Sequence, residues 1–151
     1  MIQQYLQTLS EFVRSSKIKE QSIASFILEH GRSYERGAWP PGWRKMRDRR
    51  CYMNAGRIAL ADHHYRYVEG YAETKLGIPV PHAWLTDASG KAFDPTWKNR
   101  GTSYFGIEFT AEELAEGICE IQKWGLLLWP EHVGVKLIEA RKGKHDNVVD
   151  G

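Results

Sequence analysis

The sequence predicts a single α+β domain in which helices come first, an antiparallel sheet follows and a late helix closes the order. Three observations predict this class. The chain of 151 residues is long enough for one compact domain and short for two. Its N-terminal part carries apolar residues at helical spacing, and its middle carries short aromatic and β-branched segments between turn residues. We therefore treat residues 1–151 as one domain with a core over about residues 49–109.

Two helices are predicted before residue 32. Residues 2–14 place apolar side chains three and four positions apart, which is typical of an amphipathic helix. A second helix is expected from Ile18 to His30, where Gly31 provides a favourable C-terminal cap. The segment from Arg32 to Arg50 is rich in glycine, proline and tryptophan, which favours a long loop. Long ordered loops often carry function.

The middle of the chain is predicted to hold a helix and then a hairpin. The helix runs from Cys51 to Asp62, with Cys51 in its first turn, because apolar residues fall on helical spacing there. A strand is expected from Tyr65 to Ala72. Two further strands, His82 to Thr86 and Lys91 to Trp97, flank a turn-prone Asp-Ala-Ser-Gly sequence and so predict a hairpin.

The C-terminal part is predicted to add a strand and a helix. The strand runs from Tyr104 to Phe109. Thr110-Ala-Glu-Glu113 has the residues of a capping box, which marks the start of a helix to about Lys123. The segment from Glu131 to Arg141 fits a helix or a strand, because its apolar residues also alternate. The tail from Lys142 to Gly151 is polar, and we expect it to be frayed.

The composition excludes several classes of protein. Hydrophobic residues make up 42% and charged residues 26%, with 21 basic against 19 acidic residues, which argues against disorder and against a nucleic-acid-coating protein. No apolar run approaches the roughly 18 residues that a membrane span needs, and the N-terminus lacks the pattern of a secretory signal. We therefore expect a cytoplasmic protein that contacts no membrane and keeps its thiols free. The histidines lack ligand spacing, so neither a metal nor a cofactor is predicted.

Cys51 is the candidate nucleophile. A cysteine reacts as its thiolate, and the N-terminus of a helix lowers the pKa of a thiol. Arg49 and Arg50 precede Cys51 and would also favour the anion. Such a thiolate needs an imidazole partner, which in turn needs a carboxylate or amide to orient it. The second cysteine, Cys119, is flanked by apolar residues on the late helix, so we expect it in the core.

His82 and Asp94 could supply that imidazole and that carboxylate from the predicted hairpin. Side chains alternate along a strand, so the loop length decides whether the two share a face. The three-residue loop Ala88–Gly90 would place His82 diagonal to Asp94 on one face, and the loop Asp87–Ser89 would place them directly opposite. The two-residue loop Ala88–Ser89 would place them on opposite faces and exclude the pairing.

Four short motifs then follow one another between about residues 49 and 98. They are Cys51-Tyr-Met-Asn-Ala, Tyr67-Val-Glu-Gly-Tyr71, His82-Ala-Trp-Leu85 and Phe93-Asp-Pro-Thr96. In this order they resemble the transglutaminase-like superfamily, the papain-like Cys-His-Asp enzymes. The resemblance implies a papain-like core in which a Cys-bearing helix packs on an antiparallel sheet, with N-terminal and C-terminal helices. It also implies a catalytic triad with Cys51 as nucleophile, His82 as general base and acid, and Asp94 as orienting carboxylate.

The predicted function is that of a cysteine-dependent hydrolase or acyltransferase that acts on an amide bond of a peptide or protein through an acyl-enzyme. Proteolysis, amidase action, deamidation and acyl transfer all stay open, and the chain is short for a crosslinking transglutaminase. Residues 61–64 also lack the Gly-Ile-Pro type of segment common in the family. Two alternatives are a catalytically silent module of the same type that binds an anionic partner, and acetyl transfer from a thioester donor.

The candidate substrate-binding residues are Tyr34, Trp43, Asn54 and Trp84. An acyl-transfer site also needs donors for the oxyanion, and the backbone N–H of Cys51 is the first candidate. A second donor should come from upstream, and the candidates are Tyr34, Trp39, Trp43 and the more distant Gln21. The sequence does not choose among them.

The predicted loop from Arg32 to Arg50 carries seven basic residues against two acidic ones. The rest of the chain is net negative, so the overall charge of +2 conceals a local basic surplus. This loop could attract an acidic peptide to the cleft, or it could be an ordinary solvated face, and the sequence favours neither. A nucleic-acid partner is not favoured, and the oligomeric state is not indicated.

Overall fold

The computed structural model describes residues 1–15 and 22–149, and it has mixed α+β architecture. In chain order the elements are α1 (Ile2–Ser15), α2 (Ile23–His30), β1 (Arg32–Tyr34), α3 (Cys51–Ala61), β2 (Arg66–Thr74), β3 (Val80–Thr86), β4 (Ala92–Phe93), β5 (Gly101–Phe109), α4 (Ala111–Ile121) and α5 (Val133–Val149). The strands form one sheet in the order β1-β5-β2-β3-β4, and every neighbouring pair is antiparallel. The predicted α+β class is confirmed at this level.

The N-terminal helices agree with the sequence prediction where the structure describes them. α1 is the predicted amphipathic helix. α2 begins at Ile23, because the Ser22 side chain caps it by accepting a hydrogen bond from the Ser25 amide at 3.0 Å. The predicted start at Ile18 and the next three residues lie outside the described residues.

The segment from Arg32 to Arg50 differs from its prediction at its first residues. Arg32–Tyr34 forms the short edge strand β1, in which Arg32 is opposite Gly106 and Tyr34 is opposite Tyr104. Its three residues are too few to produce a periodic pattern in the sequence. The pairing with β5 across the sheet, which no local signal reports, decides the conformation.

The two faces of the sheet are buried in different ways. The helices contribute to the larger core, in which Tyr67, Leu85 and Ile107 from the sheet pack with Ala55 and Ala59 of α3 and with apolar residues of the other helices. The opposite face carries a second cluster, whose buried members are Tyr34, Val68, Ala72, Trp84, Ala92 and Tyr104. Because side chains alternate along β3, His82 lies on the same face as Trp84.

The β3–β4 hairpin has the register that allows His82 and Asp94 to meet. Leu85 is opposite Phe93, so the position of Trp84 is opposite that of Asp94 and His82 lies diagonal to Asp94. This register confirms the alternative with the loop Ala88–Gly90, in which Gly90 has a φ of 75°. Such a φ favours glycine because a side chain there is strained.

β4 is shorter than the predicted strand from Lys91 to Trp97. It ends at Phe93 because the Asp94 carboxylate accepts hydrogen bonds from the Thr96 and Trp97 amides, which turns the chain out of the sheet. β4 therefore pairs only with Leu85 and Thr86. The end of β3 that carries His82 has no β4 residue beside it.

The C-terminal helices confirm one prediction and decide the type of the last element. The predicted capping box of α4 is present, with Thr110 and Glu113 bonding each other's backbone amides. The last element is a helix, because the side chains of Val133, Leu137 and Ile138 are buried and are spaced as on one face of a helix. This helix continues to Val149, so the described part of the polar tail from Lys142 is helical.

Cys119 corrects a prediction, because it is exposed rather than in the core. α4 turns Leu114 and Gly117 inward, and Cys119 falls on the outer side of the same helix. Both cysteines are free thiols. Within residues 1–15 and 22–149, no helix combines the length and the hydropathy needed to cross a bilayer.

Candidate active site

His82 and Asp94 form a buried, hydrogen-bonded pair. Nε2 of His82 lies 2.7 Å from Oδ2 of Asp94, and the two residues are 2% and 1% exposed. The pair is possible because β3 carries His82 past the end of the short β4, while the turn after β4 carries Asp94. The carboxylate thus fixes the orientation of the imidazole and stabilises its protonated form.

Asp94 is itself held by three further donors. The hydroxyl of Tyr104 donates to Oδ2 at 2.9 Å. The backbone amides of Thr96 and Trp97 donate to Oδ1 at 3.0 and 2.9 Å. Burial, followed by the negative charge of Asp94, raises the pKa of Tyr104 far above its ordinary value, so its phenol remains a donor. Each carboxylate oxygen therefore has two donors, which keeps the charge fixed in place.

Cys51 is the first residue of α3 and lines the same cleft as His82. The interaction of its thiol with the imidazole contributes to the raised pKa of His82. Because Nε2 bonds Asp94, Nδ1 is the ring nitrogen left for the thiol. Arg50, at the N-cap position, makes no side-chain capping bond, so the amides of the first turn keep their capacity to bind an anion.

The pKa of His82 reflects these contacts. Burial acts to lower it, but the hydrogen bonds to Asp94 and Cys51, together with their negative charges, raise it from 6.5 to about 9. A raised pKa means that the imidazolium form persists through neutral pH. An imidazolium beside a thiol favours the thiolate, which is the nucleophilic form of cysteine.

Cys51 and His82 line a cleft of about 350 Å³, whereas Asp94 is buried and does not line it. Trp97 forms the wall of the cleft over the imidazole. The centroids of the Trp97 and His82 rings are 3.9 Å apart, and the angle between the two ring planes is 21°. The cleft is lined by Asp48, Arg49, Cys51, Pro81, His82, Thr96, Trp97 and Arg100. Cys51 is 8% exposed, so its thiol lies below the surface but within reach of the cleft.

Two loops on either side of the cleft are tied together. The side-chain amide of Asn54 donates to the carbonyl of Arg47 and to Oγ1 of Thr96, each at 2.9 Å. Farther out, the Met46 amide donates to the Pro95 carbonyl at 2.7 Å. These bonds join the segment before α3 to the turn after Asp94, and they fix Cys51 relative to the pair of His82 and Asp94.

The four residues predicted to bind substrate lie around the cleft rather than in its lining. Tyr34 and Trp84 are 4% and 0% exposed and pack edge to face in the second cluster. Asn54 is 2% exposed and is used by the loop contacts. Trp43 packs on Tyr65 with ring centroids 5.0 Å apart. The geometry therefore gives these residues supporting positions, because their side chains are buried or engaged elsewhere.

Two of the candidate second oxyanion donors, Tyr34 and Trp39, have their donor groups engaged elsewhere. The Tyr34 hydroxyl donates to Glu108 at 2.9 Å, and the indole N–H of Trp39 donates to the Trp43 carbonyl at 3.0 Å. Gln21 lies outside the described residues. The first-turn amides of α3 are the donors that the geometry offers nearest the thiol.

Sequence reasoning missed Tyr104 as a site residue and did not place Trp97 on the imidazole of His82. Tyr104 is only ten residues after Asp94 in the chain, but it lies on β5, which β2 separates from β3 in the sheet order, so no local pattern reports the contact. Trp97 was predicted to continue a strand. Its role depends on the turn that Asp94 induces, and an Asp-Pro-Thr-Trp sequence was the one signal that could have indicated such a turn.

Comparisons with protein-family models, with curated proteins and with solved structures give no match to this chain. Among the residues that the structure describes, no group of three His, Cys, Asp or Glu side chains is placed to hold a metal ion.

Proposed function

We propose that the chain is a cysteine-dependent hydrolase or acyltransferase of transglutaminase-like type that acts on an amide bond of a peptide or protein. One observation carries the proposal: a thiol at the start of a helix shares a cleft with an imidazole whose Nε2 bonds a buried carboxylate. A structural cysteine needs no oriented imidazole, and a structural histidine needs no thiol. The order of the contacts is the one that nucleophilic catalysis requires.

In the first half of the reaction the Cys51 thiolate attacks the carbonyl carbon of the amide. A C–S bond forms and the carbonyl oxygen becomes an oxyanion, which the first-turn amides of α3 can stabilise. The His82 imidazolium then gives its proton to the amide nitrogen, the C–N bond breaks and an amine leaves. The acyl group remains on Cys51 as a thioester.

In the second half neutral His82 removes a proton from water as the water oxygen attacks the thioester carbonyl. The C–S bond breaks, a carboxylic acid leaves, and the thiolate and imidazolium are regenerated. An amine that attacks in place of water gives a new amide, which is acyl transfer. Through its bond to Nε2, the Asp94 carboxylate orients the imidazole and stabilises the imidazolium.

The acyl-enzyme provides the test. The protein is mixed with 4-nitrophenyl acetate, the release of nitrophenol is followed, and the protein is weighed by mass spectrometry. We expect a burst of about one nitrophenol per chain and one acetyl group on Cys51, absent in Cys51→Ser. Added methylamine then separates hydrolysis from transfer, because only transfer converts the acetyl group to an N-methyl amide. No burst and no acetyl group on Cys51 would overturn the proposal.

A second candidate function is a silent module that binds an anionic partner at the same place. The observation that favours it is a group of exposed arginines before α3, namely Arg47, Arg49 and Arg50, none of which forms an ion pair with a described carboxylate. Binding of a polyglutamate peptide by a protein that shows no acetyl-enzyme would support this candidate. Such binding should weaken as salt is added.

A further inference from the structure

A second pocket opens beside the cleft, on the other side of the first turn of α3. Its volume is about 210 Å³. Its lining is Ile23, Ile27, Tyr52, Glu69, Gly70, Tyr71, Pro81, Leu127 and Leu128, and it does not include Cys51 or His82. The mechanism proposed above does not use this pocket.

The pocket adjoins the residues next to Cys51 and His82. Pro81 lines both the pocket and the cleft, and it immediately precedes His82. Tyr52 lines the pocket and immediately follows Cys51, while Gly70 is paired with His82 in the sheet. A chain bound with its carbonyl at Cys51 would therefore have a neighbouring side chain at the mouth of this pocket.

The chemistry of the walls is apolar. Most of the lining comes from isoleucine, leucine, proline and tyrosine, and Leu128 is 44% exposed at the rim. The one carboxylate, Glu69, is 2% exposed and already accepts from the Tyr67 hydroxyl and the Leu126 and Leu127 amides at 2.7–2.8 Å. Burial raises the pKa of Glu69 although these donors oppose the rise. The pocket thus offers no free charge to a ligand.

Glu69 also explains why the pocket keeps its shape. The segment that supplies Leu127 and Leu128 has no strand or helix of its own, and the two amide bonds to Glu69 hold it against β2. A buried carboxylate with its donors satisfied is a rigid anchor. The wall contributed by this segment is therefore preformed, as binding pockets usually are.

We propose that this pocket binds one apolar side chain of the peptide substrate, of about leucine size, next to the amide that Cys51 attacks. The inference rests on the proposed function and adds the substrate class. The volume corresponds to about seven water molecules at roughly 30 Å³ each, which suits one large aliphatic side chain and not a second element of secondary structure. A charged side chain would lose its hydration there and gain no partner.

The test uses N-acetyl dipeptide chloromethyl ketones that carry glycine, leucine or aspartate at either position, with iodoacetamide as a reference that needs no pocket. Rates of labelling of Cys51 are measured by mass spectrometry in a Cys119→Ser background. The pocket variant is Leu128→Lys, which places a charge at the rim. Leu76→Lys is the matched control, because Leu76 is 83% exposed and does not line the pocket.

We expect the reagent that carries leucine at one of the two positions to label Cys51 about tenfold or more faster than the reagent that carries glycine there. The reagent that carries aspartate should be the slowest. Leu128→Lys should remove this preference while leaving the iodoacetamide rate unchanged, and Leu76→Lys should leave both unchanged. Two results would overturn the proposed role of the pocket and leave the proposed function standing. One is fast iodoacetamide labelling with no preference for the leucine reagent. The other is a leucine preference that Leu128→Lys does not alter. If iodoacetamide labels Cys51 no faster than a free thiol, the result would instead contradict the proposed function, and the proposed role of the pocket would fall with it.

Discussion

The ring of Trp97 lies almost parallel to the imidazole of His82, with 3.9 Å between their centroids. Trp97 is half-buried and lines the cleft, so its indole shields one face of the imidazole from water while the ring edge remains available to Cys51. The stack and the bond to Asp94 together leave the imidazole one orientation. This arrangement makes Trp97 a positioning residue for His82.

Trp97→Ala should therefore lower the rate of acyl-enzyme formation by roughly 10- to 100-fold, because a misplaced imidazole costs rate without any loss of the thiol. Trp97→Phe keeps an aromatic plane and should restore most of the rate. The measurement is the nitrophenol burst rate with 4-nitrophenyl acetate. An alanine variant that reacts as fast as the wild type would show that the stack does not position His82.

The pH dependence of turnover should show an alkaline limb near pH 9. His82 has a pKa raised to about 9, so it retains the proton for the leaving amine up to that pH and loses it above. Asp94→Asn removes the charge that helps to raise this pKa, so the limb should move to lower pH. The measurement is the rate against an amide substrate from pH 5 to 10, and its apparent pKa belongs to the coupled thiol and imidazole.

The contribution of His82 to the free energy of unfolding should decrease as the pH rises. His82 binds its proton more tightly in the folded chain, at a pKa of about 9, than in the unfolded chain, at 6.5. The resulting stabilisation is fully present below pH 6.5 and is lost as pH rises through about 9. Urea unfolding at pH 6 and pH 9.5 should show a larger fall in the free energy of unfolding for wild type than for His82→Gln. Equal falls would contradict the raised pKa.

Asn54→Ala should reduce both stability and reactivity. It removes the two bonds that tie the segment before α3 to the turn after Asp94, and it leaves the Arg47 carbonyl and Thr96 hydroxyl without those bonds. We expect a loss of about 1–3 kcal/mol in the free energy of unfolding. Asn99→Ala is the control, because the side chain of Asn99 is exposed. Urea unfolding of both variants checks the difference.

Gly70→Ala should destabilise the centre of the sheet. A Cβ at this position would lie 2.2 Å from the carbonyl oxygen of Phe105, which is backbone and cannot move aside. We expect a loss of about 3 kcal/mol or more. Gly143→Ala is the matched control, because a Cβ there meets nothing within 4 Å and alanine favours the helix by about 1 kcal/mol. Thermal unfolding of the two variants should show shifts of opposite sign.

The pairing of His82 with Asp94 was accessible from the sequence because it depends on local rules. Strands alternate their faces with a period of two, and a three-residue loop preserves the parity of the hairpin. The helix start at Cys51 was accessible for the same reason, since apolar spacing marks it. These short-range patterns allowed the pairing but left the loop length open, and the triad with Cys51 was implied only by the resemblance to a family.

The contacts that complete the site depend on long-range packing. Tyr104 reaches Asp94 only because β5 pairs with β2, and the walls of the cleft come from loops without periodicity. The Cys119 prediction failed because apolar neighbours in sequence do not fix the rotational phase of a helix against its core. Tyr34 and Trp84 were interpreted as substrate contacts, whereas their large rings are used to fill the second cluster.

We infer that His82 activates the thiol of Cys51, and the rate of iodoacetamide labelling of Cys51 at pH 6 measures this activation. At this pH an ordinary thiol is almost entirely protonated and reacts slowly. In a Cys119→Ser background we expect Cys51 to react at least tenfold faster in the folded protein than in the urea-unfolded protein. The excess should disappear in His82→Ala. Equal rates in the folded and unfolded protein, or an excess that survives His82→Ala, would contradict the claim.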